Sequence, residues 1–166
     1  MWYVIQVRSG TEERIVDGCK RQLCDGEAVF TPMLEMQRRV HGEEIVEQKP
    51  LFVGYVFFDT QDVEGLFFRL KRVSGFTKIL QVDKEFTPIS VEEREVIERL
   101  RDDENVVRMS EGYKEGDRVV ITSGPLVGME SRIKKVNRAK RQAVLELSLM
   151  GEVREVTLGL RVLNKE

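Results

Sequence analysis

Ligating side chains are scarce in this chain: 166 residues include two cysteines and one histidine. Cys19 and Cys24 match neither a CxxC redox pair nor a zinc-ligand set, so both are expected to be packing residues. His41 stands beside Gly42 in an expected turn with no ligating neighbours, a poor setting for a metal centre or a His-based triad. Walker, GxSxG and HExxH motifs are absent, and the carboxylate pairs Glu43-Glu44 and Asp102-Asp103 lie in wet polar stretches, so no enzyme, metal or cofactor is expected. Long apolar runs are missing too: none approaches the ~20 residues that a membrane helix needs. The opening MWYVIQV is strand-like and lacks the basic region and cleavage site of a signal peptide. A cytoplasmic protein without membrane contact is expected.

What the chain does have is charge, unevenly placed. The net charge of −2 divides into 12 Lys/Arg against 14 Asp/Glu over residues 1–89, 4 against 8 over 90–111, and 11 against 7 over 112–166. A basic last third behind an acidic connector points that third toward a polyanion.

Periodicity supplies the elements. WYVIQVR reads as a strand, and Ile15, Cys19 and Leu23 at i, i+4 and i+8 place a helix over 11–23, which Gly18 weakens by up to about 1 kcal/mol relative to Ala. AVFTPMLEM is a second strand with an edge or bulge at Pro32, and MQRRV and EEIVEQ flank the His41-Gly42 turn of a hairpin. LFVGYVFF is uniformly apolar and therefore expected at the centre of a sheet, with something large lying over Gly54. Val63, Leu66, Phe67, Leu70 and Val73 form a second helical stripe, and FTKILQV is a further strand. Ser90 and Glu93 spell a capping box for a short helix. The polar stretch 101–112 reads as an extended, mobile linker. From Tyr113 onward five short strands follow, with Leu145, Leu147 and Leu149 alternating with Val144, Glu146 and Ser148. The expected fold is α+β: an N-terminal mixed sheet with flanking helices over 1–100, then a small five-stranded barrel over 113–166.

The segment GDRVVITSGPLVGMESRI resembles a KOW motif, and WYVIQVRSGTEERI with LFVGYVFF resembles the N-terminal domain of the NusG family of transcription elongation factors. FVGYVFF and the Trp-Tyr pair are most similar to the LoaP antiterminators of that family. The resemblance implies an SH3-like C-terminal barrel and an N-terminal domain that binds the clamp helices of bacterial RNA polymerase. Carried to matched positions, the docking residues are Trp2, Tyr3, Phe52 and Tyr55, whose rings would provide contact area at low entropic cost; core packing explains several of them as well. Two positions depart from the common pattern, with Val53 in place of Pro and Ser131 in place of Gly.

The run SRIKKVNRAKRQ holds Arg132, Lys134, Lys135, Arg138, Lys140 and Arg141 without an acidic residue. Phosphates repay such a cluster through counterion release, and Arg can also pair with guanine edges. A merely solvated hairpin is the bland reading; six uncompensated cations in a basic domain favour RNA. The scarcity of nearby aromatics points to a structured hairpin in a nascent leader rather than to stacked single strands. Three further readings stay open. Leu126, Val127 and Met129 offer an apolar edge to a ribosomal or termination-factor protein, as a general housekeeping NusG would need. Arg38, Arg39 and Lys49 are candidates for the non-template DNA strand, with a solvated face ahead of that reading. A ribosomal-protein-like RNA binder would also carry a KOW motif, but leaves the first domain unexplained. The chain is expected to act as a monomer.

Overall fold

The computed structural model describes residues 1–73 and 88–164. Two compact units are present, one of residues 1–31 and 52–94, the other of residues 32–51 and 95–166. This division differs from the boundaries expected at residues 100 and 113.

In the first unit, β1 (Trp2–Gln6), β2 (Ala28–Phe30) and β5 (Tyr55–Asp59) form an antiparallel sheet in the order β1-β5-β2. β5 is central, as its unbroken apolar character requires. One face carries Ile5, Val56, Phe58 and Val29, which pack with α1 (Glu12–Lys20) and α2 (Val63–Leu70) through Ile15, Val16, Cys19, Leu66, Phe67 and Leu70. Gly18 belongs to this contact, since a Cβ there would stand 3.1 Å from Val73 Cγ1. Cys19 is buried, which pushes its thiol up to about 12, whereas Cys24 is exposed and is not the packing residue expected.

The opposite face holds an aromatic set. Trp2 meets Phe30 edge-on at 4.8 Å, Phe30 stacks on Phe57 at 5.6 Å, and Phe52 lies 5.9 Å from Phe57. The Arg94 guanidinium sits over the Trp2 ring at 5.0 Å. Residues 51–54 form a turn ahead of β5, and Gly54 serves the backbone rather than a bulky neighbour. Its φ is +84°, its carbonyl accepts from the Val7 N–H at 2.7 Å, and a Cβ would meet the Val7 carbonyl at 3.2 Å. The expected strand FTKILQV lies outside the described residues.

The second unit begins with β3 (Met33–Val40) and β4 (Glu43–Pro50), a hairpin separated from β2 at Thr31-Pro32. His41 and Gly42 form its two-residue turn with φ of 51° and 80°, the handedness that matches strand twist. α3 (Val91–Leu100), whose first turn belongs to the first unit, starts with the reciprocal capping box: the Ser90 N–H donates to Glu93 Oε1 and the Glu93 N–H to Ser90 Oγ, each at 3.1 Å.

The stretch 101–112, expected as an extended linker, is structured. β6 (Val106–Val107) pairs in parallel with Met33 and Leu34, and both valines are buried. Arg108 reaches Asp102 at 2.6 Å, Glu35 at 2.9 Å and Glu104 at 3.2 Å. Hydrogen bonding to Arg108 holds the Asp102 carboxyl below its usual range. Charges that look solvated in sequence here satisfy one another, and two valines supply the apolar anchor.

The remaining strands are β7 (Ser110–Glu115), β8 (Arg118–Ser123), β9 (Ile133–Asn137), β10 (Gln142–Leu149) and β11 (Glu152–Leu163), in a five-stranded curled sheet of order β8-β7-β11-β10-β9. β7 and β11 run parallel, and the other pairs are antiparallel. Leu145, Leu147 and Leu149 are buried with Ile121, Leu126, Met129, Val156, Leu158 and Leu160. At the Gly-Pro turn, Gly124 has φ of +95° and a Cβ would stand 2.5 Å from Ser110 Cα; the buried Ser110 Oγ accepts from the Leu126 N–H at 3.0 Å. That turn is a glycine position by geometry and by space.

Candidate nucleic-acid groove

Strands β8 and β9 occupy the two ends of the sheet order, so each keeps one edge without a strand neighbour among the described residues. Between them opens a groove of about 780 Å³. Val119, Val120, Ile133, Val136 and Val162 give it an aliphatic lining, and no aromatic residue takes part. Lys114 and Arg118 line it from the β7–β8 side, and Lys134, Lys135 and Arg138 from the β9 side, against Asp117 and Glu130. The lining thus carries a formal charge of +3.

The local fold explains this concentration. The β9–β10 register shifts between Val144↔Lys135 and Leu145↔Ile133, leaving Lys134 without a register partner, and both Lys134 and Lys135 line the groove. Beyond Asn137 the chain turns through residues 138–141: the Lys140 N–H donates to Asn137 Oδ1 at 3.0 Å, the Arg141 N–H donates to the Arg138 carbonyl at 3.2 Å, and Arg141 adopts φ of 55°. Lys140 and Arg138 are left exposed on this turn.

The six cations expected to bind RNA therefore have different settings. Lys135 and Arg138 line the groove without an ion-pair partner among the described residues, Arg138 donating to the side chain of Asn164. Lys134 lines it as well but pairs with Glu146, whose hydrogen bond raises the lysine above its ordinary range. Arg132 is exposed in a 3₁₀ turn (Glu130–Arg132), and Lys140 is exposed beyond the groove lining. Arg141 is turned to the β3–β4 hairpin, where it donates to Glu44 at 2.7 Å and to Gln37 at 3.5 Å. The Arg141 hydrogen bond holds the Glu44 carboxyl below its usual range. Lys114 and Arg118 escaped the sequence reading because Glu115 and Asp117 sit between them and cancel the local charge.

The four rings expected to dock polymerase are all buried: Trp2 is 2%, Tyr3 9%, Phe52 3% and Tyr55 8% exposed. Val53, the departure from the family pattern, is instead 58% exposed. Of the apolar edge Leu126, Val127 and Met129, the first and last are core residues and Val127 alone is exposed. Arg38 pairs with Glu47 at 2.5 Å and Arg39 lies 3.9 Å from Glu44, as on a solvated hairpin face. Among the described residues no group of acidic, His and Cys side chains is placed to hold a metal ion, and no helix is long and apolar enough to cross a membrane.

These features define a two-part α+β protein whose C-terminal sheet is a curled half-barrel with a cationic open side. The family profile described as "Transcription termination factor nusG" matches residues 1–101, and the chain belongs to the NusG family. The transcription termination/antitermination protein NusG of Buchnera aphidicola is 26% identical over 174 residues, covering 99% of this chain and 95% of that one. That of Rickettsia typhi is 21% identical over 173 residues, covering 99% and 89%. A solved structure, "Domain interaction in Thermotoga maritima NusG", has the same fold, with a TM-score of 0.52 at 20% identity over 95% of this chain and 92% of that chain.

Proposed function

We propose that this protein is a cytoplasmic transcription elongation and antitermination factor of the LoaP kind. Its N-terminal region, residues 1–100, binds bacterial RNA polymerase, and its KOW region, residues 113–166, binds a structured nascent RNA. The observation that carries the RNA half is the groove between β8 and β9, where Lys135 and Arg138 stand without acidic partners among the described residues. RNA bound there tethers the factor near the polymerase that made it, which raises its effective concentration at the clamp without any new polymerase contact. The groove's lack of aromatic lining fits phosphate contact on a hairpin stem better than stacking of bases.

For polymerase, the buried rings of Trp2 and Phe52 pack on Phe57 behind the 51–54 turn, and exposed Val53 on that turn is the accessible apolar tip of the docking face. Titration of the full chain with a leader hairpin at several salt concentrations tests the RNA half. The expected outcome is binding whose log K falls by about 0.9 per log unit of salt for each duplex phosphate neutralised. An affinity unchanged in a Lys135→Glu/Arg138→Glu/Lys140→Glu variant refutes it. For the polymerase half, Val53→Asp is expected to abolish co-purification with polymerase at unchanged thermal stability.

A further inference from the structure

The basic run supplies one side of the groove; the other side comes from residues that the run does not include. Lys114, near the end of β7, and Arg118, at the start of β8, line the same cavity as Lys135 and Arg138. All four are exposed, and none has an ion pair among the described residues. Between the two cationic walls the lining is aliphatic, from Val119, Val120, Ile133, Val136 and Val162. We infer that the polyanion site is this two-walled groove, that Lys114 and Arg118 are binding residues, and that its ligand is one sugar–phosphate strand of an RNA stem lying between the edges of β8 and β9. This inference rests on the RNA reading above and extends it to a second wall.

The physical argument is one of charge and shape. A single cationic turn can touch a duplex backbone from one side, and its contacts are interrupted by water on the other. A strand held between two cationic walls exchanges more condensed counterions for protein cations, and counterion release is the main source of backbone affinity. The aliphatic lining offers no hydrogen-bond code and no ring to stack on, so the groove reads backbone and not sequence. Asp117 and Glu130 lie in the same lining and limit the net charge, which keeps the site from collecting every polyanion equally.

The experiment uses the full chain and one RNA hairpin presented with two stem sequences of equal length, with affinity measured from 0.05 to 0.3 M salt. Lys114→Gln/Arg118→Gln is compared with Lys135→Gln/Arg138→Gln. Removing two phosphate contacts lowers the log–log salt slope by about 1.8 and weakens binding about thirtyfold at 0.15 M salt. The inference expects that loss from either pair, to the same extent for both stem sequences. A Lys114→Gln/Arg118→Gln variant with unchanged affinity and slope, beside a weakened Lys135→Gln/Arg138→Gln variant, overturns the second wall and leaves the RNA reading standing. A wild-type chain with no salt-dependent RNA affinity overturns both. Lys114→Arg/Arg118→Lys keeps the charge and is expected to restore the slope; failure to do so, at unchanged thermal stability, also overturns the inference.

Discussion

Glu27 offers a sharp test of how the first unit is held. It lies in the loop before β2, and its side chain is 8% exposed. Arg69, in the last turn of α2, grips both of its oxygens, at 2.8 and 3.1 Å; Thr60 Oγ1 donates at 2.6 Å and the Cys24 N–H at 2.7 Å. Burial works to raise its pKa, but the bonds from Arg69, Thr60 and the Cys24 amide outweigh it and bring the carboxyl to about 2 from an ordinary 4.5. Taken whole, that difference corresponds to roughly 3 kcal/mol of preference for the ionised form in the folded state. Arg69 is 26% exposed, and solvent screening there reduces the stabilisation to about 2 kcal/mol.

The substitution Glu27→Gln replaces one acceptor by an amide that faces a guanidinium donor. Urea unfolding at pH 7, with a slope of about 2 kcal/mol per molar, is expected to lose about 1 M in midpoint. Because the folded pKa is depressed, the stabilisation is fully present above pH 4.5 and is lost as pH falls toward about 2. The gap between wild type and variant must therefore narrow over that window. A midpoint shift equivalent to less than about 0.5 kcal/mol at pH 7, the range of an ordinary surface substitution, refutes the reasoning. So does a gap that stays constant from pH 6 to pH 2.5.

Three further outcomes are expected. Glu44→Gln releases Arg141 from the hairpin, which steepens the salt slope of RNA binding by about 0.9 and strengthens binding about fivefold at 0.15 M salt; fluorescence anisotropy measures both. Gly124→Ala places a Cβ against the Ser110 backbone at a positive φ and is expected to cost more than about 1 kcal/mol in chemical denaturation, with Ser123→Ala nearby as the mild control. Leu147→Ala empties the centre of the half-barrel and is expected to cost about 2–5 kcal/mol, read as a fall in the urea midpoint.

Several features of the fold were legible in the chain because they follow from local periodicity and turn chemistry. The alternation of Leu145, Leu147 and Leu149 marked the core face of β10, His41-Gly42 marked a hairpin turn, and Ser90-Glu93 marked a capped helix start. Other features were misread because their partners are remote. In sequence Gly54 suggests a bulky neighbour, whereas in the fold it serves a tight backbone approach to Val7. The stretch 101–112 reads in sequence as an extended connector because its charges look solvated, whereas in the fold Arg108 pairs with Asp102, Glu104 and Glu35.

For the candidate site, the sequence by itself determined where cations accumulate, because the acid-free run from Arg132 to Arg141 is a local property of the chain. Only the tertiary structure decided which of them line the groove. Arg141 leaves the set because Glu44, 97 residues away in the chain, lies beside it, and Lys114 and Arg118 join because β7 and β8 curl to face β9. Electrostatics acts through distance in space, and distance along the chain is a poor guide to it once strands from different segments share one sheet.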